Sequence, residues 1–172
     1  MKLRHLTCIL SFVLLAGGSA AFAADEKPLV DSTKVIPLTR FLEEQPFHES
    51  APLARAELLR WEEKTKDVAV IVCPGVLEPL PSPDLKYGNE LLVQFIFGSA
   101  AYQLANPADK GVLLPGQLAG MRSILAAYRS MLAHDPKARI ARFDELVQKE
   151  ADGTFVAEIE KSVAANCSMP PK

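Results

Sequence analysis

Cysteine, histidine and long apolar runs are all scarce in this chain, and each scarcity excludes a class of protein. Three cysteines and three histidines in 172 residues do not supply the H-E-x-x-H pattern of a zinc hydrolase, which needs two histidines one helical turn apart with a carboxylate base between them. His48 and His134 stand far apart in the sequence. The C-x-x-C-H haem attachment motif is missing, as are a G-x-S-x-G nucleophile elbow and a Walker phosphate loop. Motifs therefore assign no catalytic, cofactor-binding or metal-ligating residue, and no cofactor is expected. Lys and Arg form no cluster that would track a phosphate backbone, so nucleic acid is not an expected partner. Past residue 23 no apolar stretch reaches the roughly 20 residues that cross a bilayer as a helix, so no membrane span is expected there.

The first 23 residues read as a cleavable export signal. Lys2, Arg4 and His5 give a positive start, Leu6 to Ala16 an apolar run, and Ala21-Phe22-Ala23 an A-x-A site that places cleavage between Ala23 and Ala24. Gly17, Gly18 and Ser19 interrupt the run too early for a retained anchor, and Cys8 lies inside it, where lipidation does not occur. A periplasmic or extracellular location follows. The 149 residues left are the usual size of one domain. Cleavage takes Lys2 and Arg4 from 19 basic side chains against 21 acidic ones and leaves a net charge of −4.

Two cysteines remain, Cys73 and Cys167. In an oxidising compartment an even pair without C-x-x-C spacing reads as one structural disulfide tying the C-terminus to the middle of the chain. The competing reading is a nucleophilic thiol at Cys73, which needs a base beside it to form thiolate.

Along the chain the expected elements are helical. Residues 24–37, short of large apolar side chains, read as a flexible lead-in. Residues 38–168 read as a single helical domain and 169–172 as a tail. A short helix is expected over 38–45, ended by Pro46, and a longer one over 51–66, capped by Ser50, with Pro52 in its first turn and Leu53, Leu58, Leu59 and Trp61 as apolar surface. Val68 to Val72 favours a strand by residue type, yet no second strand exists to pair with it, and the segment is read as helical or irregular. Pro79, Pro81 and Pro83 give a stiff connector. Residues 89–106 carry apolar side chains around nearly the full circumference, so that helix must be covered on most sides, and Gly98-Ser99-Ala100-Ala101 gives another helix a place to approach.

Leu114, Leu118, Met121, Leu125, Tyr128 and Leu132 recur at alternating steps of four and three, one stripe of a helix over 114–133 docked on others. Gly116 and Gly120 within it read as a close-packing pair. Asp135 is expected to cap a helix opening at Pro136, turning Ile140, Phe143, Val147 and Ala151 inward and ending at Gly153, and Thr154 to cap a last one with Phe155, Ile159 and Val163 on one face. The fold expectation is all-α: a compact bundle of five or six helices.

Paired carboxylates at Glu43-Glu44, Glu62-Glu63 and Asp144-Glu145 are what a two-carboxylate hydrolase would need, but on amphipathic helices such pairs read as solvated faces. The stretch Tyr87-Gly88-Asn89-Glu90-Leu91-Leu92-Val93-Gln94-Phe95, continuing to Gly98 and Ala101, resembles an uncharacterised family of exported bacterial helical proteins. That resemblance spans about residues 50 to 165 and implies no activity. Phe95-Ile96-Phe97-Gly98, Gly116-Gln117-Leu118, Tyr128, His134-Asp135-Pro136 and Cys167 are loosely similar to Tai-type periplasmic immunity proteins, which implies a helical, disulfide-bonded inhibitor of a peptidoglycan-cleaving toxin. The chain departs from those proteins where they carry a cysteine just before the helix, since Val93 and Gln94 precede Phe95 here and the earlier cysteine is Cys73. The functional expectation is a non-enzymatic binding or envelope-support module with a protein partner. The alternatives are the immunity-type inhibitor and an envelope hydrolase working through unpatterned carboxylates or Cys73.

Overall fold

The computed structural model describes residues 29–167. The export signal with its Ala23–Ala24 junction and the tail 169–172 lie outside the described residues. All regular structure among the described residues is helical: α1 (Ser32–Glu44), α2 (Ala51–Lys64), α3 (Pro74–Leu77), α4 (Gly88–Ala105), α5 (Leu113–His134), α6 (Ala141–Ala151) and α7 (Phe155–Asn166), with 3₁₀ turns at Pro107–Asp109 and Pro136–Ala138. An all-α fold is thus observed, but with seven α-helices rather than five or six. The addition is α3, one turn of helix directly after Cys73. Pro74 stands in its first turn, where a missing N–H removes no bond, and Val76 and Leu77 are buried.

The first helix begins at Ser32 rather than at residue 38, inside the stretch read as a lead-in. The Asp31 carboxylate accepts the Thr33 N–H at 2.9 Å and caps the helix. Pro37 removes one bond from the early ladder, while Val35 and Leu42, both fully buried, anchor the helix to its neighbours. Ser50 and Thr154 occupy the expected cap positions of α2 and α7 without making a side-chain cap bond.

The helix expected from Pro136 is also divided. Asp135 does accept the Lys137 N–H, but only a 3₁₀ turn follows. The Tyr128 hydroxyl takes the Ile140 N–H at 2.9 Å and so holds Ile140 outside the helix that starts at Ala141. That start buries Phe143 and Leu146, while Ala151 is exposed. Gly153, at φ +74°, ends α6 as expected: the Thr154 N–H reaches back to the Lys149 carbonyl and the Gly153 N–H to that of Glu150. This is the left-handed C-cap at which glycine avoids a Cβ clash.

α4 is the axle of the molecule. On one side Leu91 and Phe95 join a core with Met121, Leu125, Tyr128, Phe143, Phe155 and Ile159. On the other, Phe97 and Ala100 join Val35, Leu42, Leu58, Trp61 and Val68. Covering both sides accounts for its lack of a polar face, and each fully buried Phe or Leu contributes about 1.5–3 kcal/mol. α5 crosses α4 at the small residues: a Cβ on Gly98 would lie 2.2 Å from the Ser123 Cβ, and one on Gly120 would lie 2.5 Å from the Phe95 ring. The periodic stripe on α5 is real, with Met121, Leu125 and Tyr128 buried, but Gln117, Ser123, Ile124 and Ala127 are buried too. The buried arc is therefore wider than one stripe.

The Val68–Val72 segment is irregular, and its backbone partners are side chains. Gln103 of α4 accepts the Ala69 N–H at 2.9 Å and the Gly111 N–H at 3.1 Å, and donates to the Ala69 carbonyl at 3.2 Å. Gln117 of α5 donates to the Ile71 carbonyl at 2.5 Å. A primary amide gives and accepts as a neighbouring strand's peptide group would, so one extended residue is satisfied without a second strand.

Candidate functional site

The structure scatters most of the residues that composition marked as chemical. Cys73 and Cys167 are brought together with Cα atoms 5.6 Å apart in disulfide geometry. So placed, the Cys73 sulfur faces Cys167 rather than a base that would form thiolate. The disulfide joins α3 to the end of α7, where the Ser162 hydroxyl also meets the Gly75 carbonyl at 3.3 Å. The His48 ring packs edge-on against Phe41 at 5.3 Å and accepts the Ser50 N–H through Nδ1. The His134 ring packs edge-on against Phe47 at 5.8 Å, at the C-terminus of α5. Among the described residues no group of three or more His, Cys, Asp or Glu side chains could hold a metal ion, and no helix is long and apolar enough to cross a membrane.

Of the carboxylate pairs, Asp144 accepts the Tyr128 hydroxyl at 2.8 Å and pairs with Arg139, while Glu145 pairs with Arg142. These are fastenings around α6. Burial, and then the neighbouring Glu63, raises the Glu62 pKa above its ordinary value. Glu43 is different, because it faces inward into a groove between α1, α4 and α5.

That groove has a volume of about 440 Å³. Its floor is small and largely apolar, with Gly98, Ala101 and Ala105 from α4 and Ala119 and Ala126 from α5. Gly98 belongs both to this floor and to the close crossing, where it meets Ser123 and the Ala119 carbonyl. A polar chain that links the three helices runs into its wall. The Gln94 amide donates to the Thr39 carbonyl at 3.3 Å and to the Ser123 hydroxyl at 2.9 Å, and Ser123 in turn donates to a Glu43 carboxylate oxygen. Burial pushes the Glu43 pKa up, against the opposing pull of the Ser123 hydrogen bond and of Arg40. Tyr102 donates its hydroxyl to Asp109 at 2.5 Å beside the groove. The mouth carries Arg40 from α1 and Arg122 from α5, both exposed.

Composition and spacing pointed to Glu43 only as half of a carboxylate pair, and they passed over Arg40, Arg122, Gln94, Gln103 and Ser123. One signal was present: a glutamine within a helix that must be covered on most sides has little solvent to face, so Gln94 and Gln103 must find partners inside. No comparable signal marks Arg40 or Arg122, because an exposed arginine on a helix looks the same whether or not it faces a groove. No family model matches the chain, and no curated protein or solved structure matches it.

Proposed function

We propose that this chain is an exported helical protein that binds another protein through the groove between α1, α4 and α5. The observation carrying the reading is the construction of the groove: an open trough with a glycine and alanine floor, polar groups at its mouth, and no second carboxylate among its lining residues beside Glu43. A floor without long side chains lets a partner's backbone or small side chains sit close, which favours protein docking over chemistry. The half-buried Glu43 carboxyl, with its raised pKa, is the feature that an envelope hydrolase would use as an acid. Two-carboxylate hydrolysis also needs an ionised partner across the scissile bond, and the groove's lining supplies none. The immunity-type inhibitor is the narrower form of the binding reading, in which the partner is a peptidoglycan-cleaving toxin. It expects a toxin gene directly beside this one.

The test is capture of partners from periplasmic extract by the purified exported protein, oxidised at its cysteines, compared with Ala101→Trp and Ala126→Trp, which fill the groove from α4 and α5. Loss of the same captured protein with both variants, each folded by circular dichroism, is expected. Equal capture by both filled variants would refute the assignment of the groove.

A further inference from the structure

Among the described residues the arginines are engaged almost throughout. Arg60 pairs with Glu57, Arg129 with Glu150, Arg139 with Asp144, and Arg142 with both Glu145 and Glu158, while Arg55 donates to the Pro46 carbonyl. Arg40 and Arg122 have no ion-pair or hydrogen-bond partner among the described residues, and both line the same groove. Arg122 lies over the Phe155 ring, 5.4 Å from its centroid, an arrangement that holds a guanidinium by its face and leaves its N–H fork free. Arg40 has Glu43 near it on α1, but that carboxylate is already occupied by Ser123 and partly withdrawn from solvent. The Tyr102 hydroxyl is likewise taken by Asp109.

Resting on the reading of the groove as a docking surface, we infer that its occupant is an acidic protein segment, whose ionised side-chain carboxylates are held by Arg40 and Arg122 while its backbone lies over Gly98, Ala101 and Ala119. The guanidinium fork matches a carboxylate in two parallel hydrogen bonds, which gives direction as well as charge. The two arginines come from different helices across the floor, so they suit two acids on one segment. A small free anion would leave the apolar floor uncovered, whereas a peptide covers it. The mature chain is net acidic by its sequence, which works against indiscriminate attraction of acidic partners and confines recognition to this site.

The probe is a fluorescent, end-blocked peptide of six glutamates beside its six-glutamine twin, titrated against the exported protein by polarisation, with amide chemical shifts mapping the contact. Binding of the glutamate peptide at the groove is expected. It should weaken at least tenfold in the double variant R40Q/R122Q and fall less far in R40K/R122K, which keeps the charge but loses the fork. Equal binding of the glutamine twin, or unchanged binding by R40Q/R122Q, overturns the inference. So does displacement of the peptide by acetate or inorganic phosphate at concentrations matching the peptide's own glutamate content, which would mark a site for small anions. If the glutamate peptide fails to bind while Ala101→Trp and Ala126→Trp still abolish partner capture, the acidic occupant falls and the groove reading stands. If the filled variants capture the partner normally, the groove reading itself falls.

Discussion

Replacing Gln103 by leucine removes the side chain that stands in for a missing strand. Gln103 is almost fully buried and holds three backbone groups: the Ala69 N–H, the Ala69 carbonyl and the Gly111 N–H. Each such bond contributes about 0.5–1.5 kcal/mol net, and more when its loss leaves a buried group unpaired. Three of them sum to about 3 kcal/mol. The exposed side of Ala69 lets water replace part of this, and the added apolar burial of leucine returns about 1 kcal/mol. The expected net loss is about 2 kcal/mol, or about 1 M in urea midpoint for an m-value near 2 kcal/mol/M. Urea denaturation of the oxidised protein measures it. Native-state hydrogen exchange locates it, because the Ala69 and Gly111 amides should lose protection ahead of the core of α4 and α5. A midpoint within about 0.2 M of the wild type, with no faster exchange at those two amides, would refute the substitution of side-chain amides for strand pairing.

Gly98→Ala places a Cβ 2.2 Å from the Ser123 Cβ and 3.0 Å from the Ala119 carbonyl oxygen, so it should destabilise by about 1–3 kcal/mol despite alanine's higher helix propensity; thermal melts that match the wild type would sink the close crossing. Glu43 has its pKa raised in the folded state, so the folded protein holds that proton more tightly than the unfolded chain, and the stability linked to it is present at acid pH and declines as pH rises through the folded value. Glu43→Gln should remove that component and be at least as stable as the wild type at neutral pH, which denaturation at several pH values will read. The double change Cys73→Ser with Cys167→Ser opens a link across a sequence separation of 94 and should lower stability by about 4–5 kcal/mol in the chain-entropy model. In the same series the denatured wild type should show no reactive thiol, and titration of two would remove the disulfide from the fold.

Helical periodicity made most of the elements legible, because the i, i+3, i+4 recurrence of apolar side chains on α5 and the all-round apolarity of α4 are local properties that dictate what must be covered. Element ends were less legible. α1 starts early because Asp31 caps it and Val35 has a core to enter, and α6 starts late because Tyr128, twelve residues away, claims the Ile140 N–H. The irregular form of Val68–Val72 was one of the two expected, but its backbone partners were not legible, because Gln103 and Gln117 on two other helices supply them.

By itself, the sequence determined the helical class, the small residues at which α4 and α5 meet, and the cysteine pair whose separation suits a long-range link, since each follows from residue type and spacing along the chain. Tertiary structure alone decided which polar groups become neighbours. Glu43, Gln94 and Ser123 lie on three helices, and only their packing makes them one hydrogen-bonded chain at the wall of a groove. Arg40 and Arg122 come to line one groove in the same way, since residues so far apart in sequence share a surface only through the packing of α1 against α5.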